Sequence, residues 1–148
     1  MQRALNDIIR CTISTRFVDG VKFLETTNRT YCEKECIGFE SDFEARDEGY
    51  YACHNYVFFD AEVTDRLWNP INLKARIEIQ VRTQLQELIR TLLHKFYDTS
   101  RSRDGNSNDS WKWDYISDEF ATKYLAHMLH YIDGQVVKLR DQGEKDVD

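Results

Sequence analysis

The stretch LKARIEIQVRTQLQELIRTLLHKFY, residues 73–97, decides the fold class because its hydrophobic pattern changes period in the middle. Residues 73–83 alternate strictly between apolar and polar side chains, which is the period of a β-strand. Residues 84–97 then place apolar side chains at helical spacing, and Thr83 is suited to cap that helix. The stretch therefore predicts a strand that leads directly into an amphipathic helix.

Further elements follow from the same patterns on either side of this stretch. The acidic segment 40–49 predicts an exposed loop, and the polar segment 98–112 predicts a mobile loop. The remaining predictions are strands over 7–13 and 50–63, a turn at Asn69–Pro70, and helices over 18–31 and 117–141. Together they predict an α+β fold in one domain, 1–148, with helices flanking a mixed sheet of about five strands.

Composition excludes several classes of protein. The 148 residues carry a net charge of −6, which argues against a protein that binds duplex DNA by charge alone. No apolar run is long enough for a membrane span or a signal peptide, so a cytoplasmic location is expected. The four cysteines lack zinc-ligand spacing and are expected to be buried or partly buried free thiols.

One strand presents a row of polar side chains that could carry chemistry. Arg76, Glu78, Gln80 and Arg82 all lie on the same face of the 73–83 strand. They are either the solvated face of an antiparallel sheet or part of a phosphate site. With Asp7 from another strand, Glu78 would supply a second carboxylate for Mg²⁺.

Three segments in this order resemble the synthetase domain of the RelA/SpoT family. They are GYYACH at 49–54, EIQVRT at 78–83 and HKFY at 94–97, and Asp7 matches the aspartate that opens an earlier strand of that family. The resemblance implies a nucleotidyltransferase-like fold and a pyrophosphokinase. Such an enzyme moves the β,γ-diphosphate of ATP to the 3′-hydroxyl of GDP or GTP, giving (p)ppGpp-type alarmones, with Mg²⁺ as cofactor.

The resemblance also implies roles for individual residues. Asp7 and Glu78 match the catalytic and metal-binding carboxylates of the family, and Tyr50 matches the tyrosine that stacks on the acceptor base. Candidate acceptor-binding residues are Arg46, His54 and Gln80, and candidate phosphate-binding residues are Arg76, Arg82 and His94. For His54 and His94 the alternative is a hydrogen-bonded structural histidine.

The chain also departs from the family pattern. It begins six residues before Asp7, so the Arg/Lys segment that grips ATP in the family is not present in it. Either the chain is a truncated or fragmentary member, or it lacks a normal donor site. Arg10 stands where the family usually has glycine, and Thr12 where it usually has arginine. These departures suggest a divergent small or toxin-like member, with an antitoxin or a second copy of itself as possible partner. Its acceptor would be GDP, GTP, an adenine nucleotide or the tRNA 3′ end, unless it is an inactive nucleotide-binding module.

Overall fold

The computed structural model describes residues 5–100 and 109–145. In chain order they form β1 (Leu5–Thr15), α1 (Val18–Lys34), β2 (Gly38–Ala45), β3 (Tyr51–Thr64), β4 (Pro70–Thr83), α2 (Gln84–Ser100), a short 3-10 turn (Asp109–Lys112) and α3 (Asp118–Lys145). The predicted α+β class is confirmed. The described part of the chain contains a sheet of four strands, where about five were predicted.

The sheet is mixed, with the strand order β1-β4-β3-β2. β1 runs parallel to β4, whereas β3 runs antiparallel to both β4 and β2. Arg10 lies opposite Glu78, His54 lies opposite Gln80, and Asp42 lies opposite His54. Because directly paired residues project to the same face of a sheet, the register alone places these five side chains together.

The other face of the sheet carries the core. Cys53 of β3 and Val81 of β4 are fully buried there and pack with Val21 of α1. Burial raises the pKa of the Cys53 thiol to about 12, so this thiol stays protonated and unreactive at neutral pH. All four cysteines are free, but the expectation of burial is wrong for Cys11 and Cys36, which are exposed.

The cap predicted at Thr83 is confirmed, and Ser117 caps α3 in the same way. β4 passes directly into α2, and the backbone N–H of Gln86 donates to Thr83 Oγ1 at 3.3 Å. The N–H of Phe120 donates to Ser117 Oγ at 3.1 Å and so begins α3. These side chains satisfy backbone donors that have no partner within the first turn of a helix.

The loop predicted over 40–49 is wrong for residues 40–45, which form part of β2 and pair with β3, whereas 46–49 form the turn between the two strands. Acidic residues Glu40, Asp42 and Glu44 alternate with less polar side chains, which is a strand period. High charge density suggested a loop, but the acids occupy one face of an edge strand, where charge is well tolerated.

The ends of the last two helices also differ from prediction. The expected loop over 98–112 is wrong at both ends, since 98–100 belong to α2 and 109–112 form the 3-10 turn, while 101–108 lie outside the described residues. α3 continues through Gly143, because glycine in an exposed helical turn costs only about 1 kcal/mol relative to alanine. Among the helices of the described residues, none is long and apolar enough to cross a membrane.

Candidate functional site

A polar cleft with a volume of about 440 Å³ lies on the face of the sheet opposite the core. Six of the residues singled out from the sequence line it, namely Arg46, Tyr50, His54, Arg76, Glu78 and Gln80. The structure thus brings together residues from the loop before β3, from β3 itself and from β4. Their proposed roles in binding and catalysis remain predictions.

Glu78 lies at the centre of the cleft and is buried. Its Oε1 accepts hydrogen bonds from His54 Nδ1 at 2.7 Å and from Gln80 Nε2 at 2.9 Å. Its Oε2 accepts a hydrogen bond from Arg10 Nε at 2.6 Å. Burial raises the pKa of the Glu78 carboxyl, but these three donors outweigh burial and hold the pKa below its usual value. Glu78 is therefore a buried carboxylate that stays ionised at neutral pH, and it does not lie on a solvated face, which was one of the two interpretations of this strand.

His54 connects two carboxylates across the cleft. Its Nδ1 faces Glu78, and its Nε2 lies 3.0 Å from Glu44 Oε2 and 3.1 Å from the hydroxyl oxygen of Tyr50. The cluster therefore provides an acceptor for a hydrogen on each ring nitrogen. His54 is buried, and these contacts fix the plane of its ring.

Tyr50 forms one wall of the cleft and is half-buried. The guanidinium carbons of Arg46 and Arg82 lie 5.2 Å and 5.9 Å from the centre of its ring. Burial raises the pKa of the Tyr50 hydroxyl, while the nearby Arg82 charge works in the opposite direction. An aromatic ring at the mouth of a polar cleft, next to guanidiniums, can stack on a planar base.

Arg76 and Arg82 come from the same strand but lie in different surroundings. Arg76 lines the cleft, with its guanidinium carbon 4.6 Å from the centre of the Tyr56 ring. Arg82 is buried, and its guanidinium donates a hydrogen bond to Gln80 Oε1. Its Nε lies 3.3 Å from Glu87 Oε2. It lines a second, mostly apolar cavity of about 450 Å³ between α1 and the core face of the sheet. Of the two arginines predicted to bind phosphate, Arg76 is the one that reaches the cleft.

Two predicted site residues lie outside the description of side chains. Asp7 belongs to β1, three positions before Arg10, and His94 belongs to α2. The structure describes the backbone of both elements but not these two side chains. A phosphate contact for His94 and a carboxylate pair between Asp7 and Glu78 therefore stay predictions.

The loop before β3 is held in place by α3. Gly49 has a φ of +84°, and a Cβ atom there would lie 2.5 Å from the Cβ of Ala126. The carbonyl of Asp47 accepts a hydrogen bond from His127 Nε2 at 2.9 Å. Only glycine fits this close approach in this backbone conformation, so the turn that presents Tyr50 depends on a helix far away in sequence.

Four residues that line the cleft were not predicted as site residues: Arg10, Asp42, Glu44 and Tyr56. Two of them belong to the segment mistaken for a loop. The alternation along β2 was a signal that could have found Asp42 and Glu44. Nothing in the local sequence indicated that Arg10 reaches Glu78, because that contact depends on how β1 pairs with β4.

The described residues do not fit a magnesium ion at Glu78 as they are arranged. Mg²⁺ needs carboxylate or water oxygens at about 2.0–2.1 Å in octahedral geometry. Both oxygens of Glu78 already accept hydrogen bonds, one of them from the Arg10 guanidinium. Among the residues whose side chains are described, no group of three His, Cys, Asp or Glu could hold a metal ion.

Solved structures with a similar architecture include small alarmone synthetases and a GTP pyrophosphokinase family protein. Small alarmone synthetase 2 from Bacillus subtilis has a TM-score of 0.61 and 18% identity, covering 90% of this chain and 65% of its own. A GTP pyrophosphokinase family protein from Streptococcus pneumoniae has a TM-score of 0.60 and 20% identity, and the match covers 96% of this chain and 63% of that protein. Bacillus subtilis small alarmone synthetase 1 bound to its product pppGpp has a TM-score of 0.60 and 14% identity, and the match covers 90% of this chain and 61% of that protein.

These matches concern structure and not sequence. No protein-family model matches the chain, and no curated protein matches it significantly. The chain spans slightly less than two thirds of the length of the solved structures that it resembles. Its four-stranded mixed sheet and flanking helices have the fold of the small alarmone synthetases.

Proposed function

We propose that this chain binds a purine nucleotide in the polar cleft and transfers pyrophosphate to it from ATP. The observation that supports this best is the cluster of Tyr50, His54, Glu78 and Gln80 on one face of a sheet with the synthetase fold. A neighbour with this fold is solved bound to its product pppGpp, which supports GDP or GTP as acceptor.

The proposed reaction needs alignment and charge neutralisation more than covalent help. The 3′-oxygen of the acceptor attacks the β-phosphorus of ATP and its hydroxyl proton is released to solvent. The bond from that phosphorus to the α,β-bridging oxygen breaks, and AMP leaves. Tyr50 stacks on the acceptor base, and Glu78 orients the 3′-hydroxyl. Arg46 and Arg76 lie in the same cleft and offset the charge of the phosphates. The Mg²⁺ cofactor stays a prediction, and no step is assigned to it because the described side chains around Glu78 already fill its oxygens with donors.

A second candidate is nucleotide binding without transfer. It is favoured by the ion pair between Arg10 and Glu78, because a carboxylate held by a guanidinium is less able to contact a substrate hydroxyl. In that case the cleft would still bind a nucleotide through Tyr50 and the arginines. Pyrophosphorylation of an adenine nucleotide or of the tRNA 3′ end is the same chemistry on another acceptor.

One assay separates these functions. The chain is incubated with γ-labelled ATP and, in turn, with GDP, GTP, ADP and tRNA, and the products are separated by chromatography. If the chain transfers pyrophosphate, one of these four acceptors becomes labelled, and the Glu78→Gln variant yields no labelled acceptor. The matched control is Glu62→Gln, which removes an exposed carboxylate at the far end of β3. Nucleotide binding seen by titration, without labelled product, would support the binding module. If neither nucleotide binding nor labelled product is detected, both proposed functions are contradicted.

A further inference from the structure

Arg10 and Glu78 form an ion pair between two parallel strands. The two residues are direct partners in the register of β1 and β4, and Arg10 Nε lies 2.6 Å from Glu78 Oε2. The Arg10 side chain is 53% exposed, whereas that of Glu78 is 4% exposed. The guanidinium therefore covers the carboxylate from the solvent side of the cleft.

This arrangement leaves Glu78 with a donor on each of its oxygens. Oε1 takes hydrogen bonds from His54 and Gln80, and Oε2 takes one from Arg10. A divalent ion bound directly to this carboxylate would have to displace a donor. It would also face the positive charge of the guanidinium at close range, and like charges at contact distance repel each other.

Among the residues whose side chains are described, the charges that line the cleft are balanced. Three arginines, Arg10, Arg46 and Arg76, face three carboxylates, Asp42, Glu44 and Glu78. Arg46 pairs with Glu44, and Arg76 lies over an aromatic ring. Arg10 forms an ion pair with Glu78, and its removal would leave the described residues of the cleft with an excess negative charge next to a buried carboxylate.

We propose that Arg10 determines which cation occupies the Glu78 carboxylate. Its guanidinium stands where a divalent ion would bind, so the free chain binds divalent ions weakly at this position. Loss of the guanidinium opens a divalent-ion site on Glu78. This inference concerns the chain without nucleotide and does not depend on the proposed transfer reaction.

The test is a titration of the whole chain with Mn²⁺ alone, followed by electron paramagnetic resonance. Arg10→Ala is expected to bind Mn²⁺ at least tenfold more tightly than the unmodified chain, whereas Arg10→Lys, which keeps the charge, stays weak. Arg10→Gln removes the charge but keeps a polar side chain. It serves as a second variant if Arg10→Ala does not fold, as judged by circular dichroism.

Two controls decide where the ion binds. Arg16→Ala makes the same change in net charge at an exposed arginine outside the cleft and should leave Mn²⁺ affinity unchanged. Adding Glu78→Gln to Arg10→Ala should abolish the gain. The proposal is overturned if the unmodified chain binds Mn²⁺ as tightly as Arg10→Ala and Arg10→Gln. It is equally overturned if Arg16→Ala produces the same gain, or if the gain survives Glu78→Gln.

Discussion

The hydroxyl of Tyr51 lies 2.7 Å from Nδ1 of His127, although 76 positions separate the two residues in sequence. The other ring nitrogen of His127 lies 2.9 Å from the carbonyl oxygen of Asp47, which can only accept. In the neutral ring Nε2 therefore carries the hydrogen and donates it to Asp47, while Nδ1 accepts a hydrogen bond from the Tyr51 hydroxyl. This bridge ties α3 to both sides of the turn that presents Tyr50 to the cleft.

Adjacent tyrosines are expected to have opposite effects on binding and stability. Tyr50→Ala should weaken GDP binding by roughly 1–3 kcal/mol, because it removes a ring that stacks on the acceptor base. Tyr50→Phe should be mild. Tyr51→Ala should instead lower the melting temperature, since Tyr51 stacks on His130 with ring centres 3.7 Å apart and bonds to His127. Nucleotide titration and thermal melting check this pair, and unchanged GDP affinity in folded Tyr50→Ala would contradict the role of Tyr50.

Two glycine substitutions should change the free energy of unfolding in opposite directions. Gly49→Ala combines a positive φ with a Cβ contact of 2.5 Å, and should cost about 2–4 kcal/mol. Gly143→Ala places a methyl group in open space on α3, and should stabilise the chain by up to about 1 kcal/mol. Urea unfolding measures both changes. Equal effects at the two positions would show that the turn at Gly49 is not held tightly by α3.

Acid should destabilise the fold through His130. Burial lowers the pKa of the His130 imidazole below 6.5, and His127 adds to this shift while the charge of Asp133 works against it. As pH falls below 6.5, the unfolded chain binds a proton that the folded chain does not yet bind, so the free energy of unfolding decreases. His130→Phe keeps an aromatic ring against Tyr51 without a titrating nitrogen. Its unfolding free energy should depend less on pH between about pH 7 and about pH 5.

Asp133 is expected to stabilise α1 from a distance. This buried carboxylate on α3 accepts a hydrogen bond from the first backbone N–H of α1, at Val18, over 3.3 Å. A negative charge at that end of a helix offsets the helix dipole. Asp133→Ala should therefore cost about 1–2 kcal/mol of unfolding free energy. Asp133→Asn keeps an acceptor and should cost less, and chemical denaturation of the two variants tests that order.

The sequence by itself determined the elements whose signal is local. The change of period at Thr83 predicted β4, α2 and the cap between them, because side-chain alternation and helical spacing are properties of neighbouring residues. The same alternation placed Glu78 and Gln80 on one face. The segment 40–49 was missed because its charge density was weighed above its period, although the period was present in the sequence.

Only the tertiary structure decided which of these faces meet. The parallel register of β1 on β4 sets Arg10 against Glu78, and the packing of α3 sets His127 against Tyr51. Neither contact has a local signal, because the choice of partner depends on how sheet and helix faces are buried across the whole chain. For the same reason the strand pattern predicted that Glu78 is polar and on an open face, but not that it is a buried carboxylate with a donor on each oxygen.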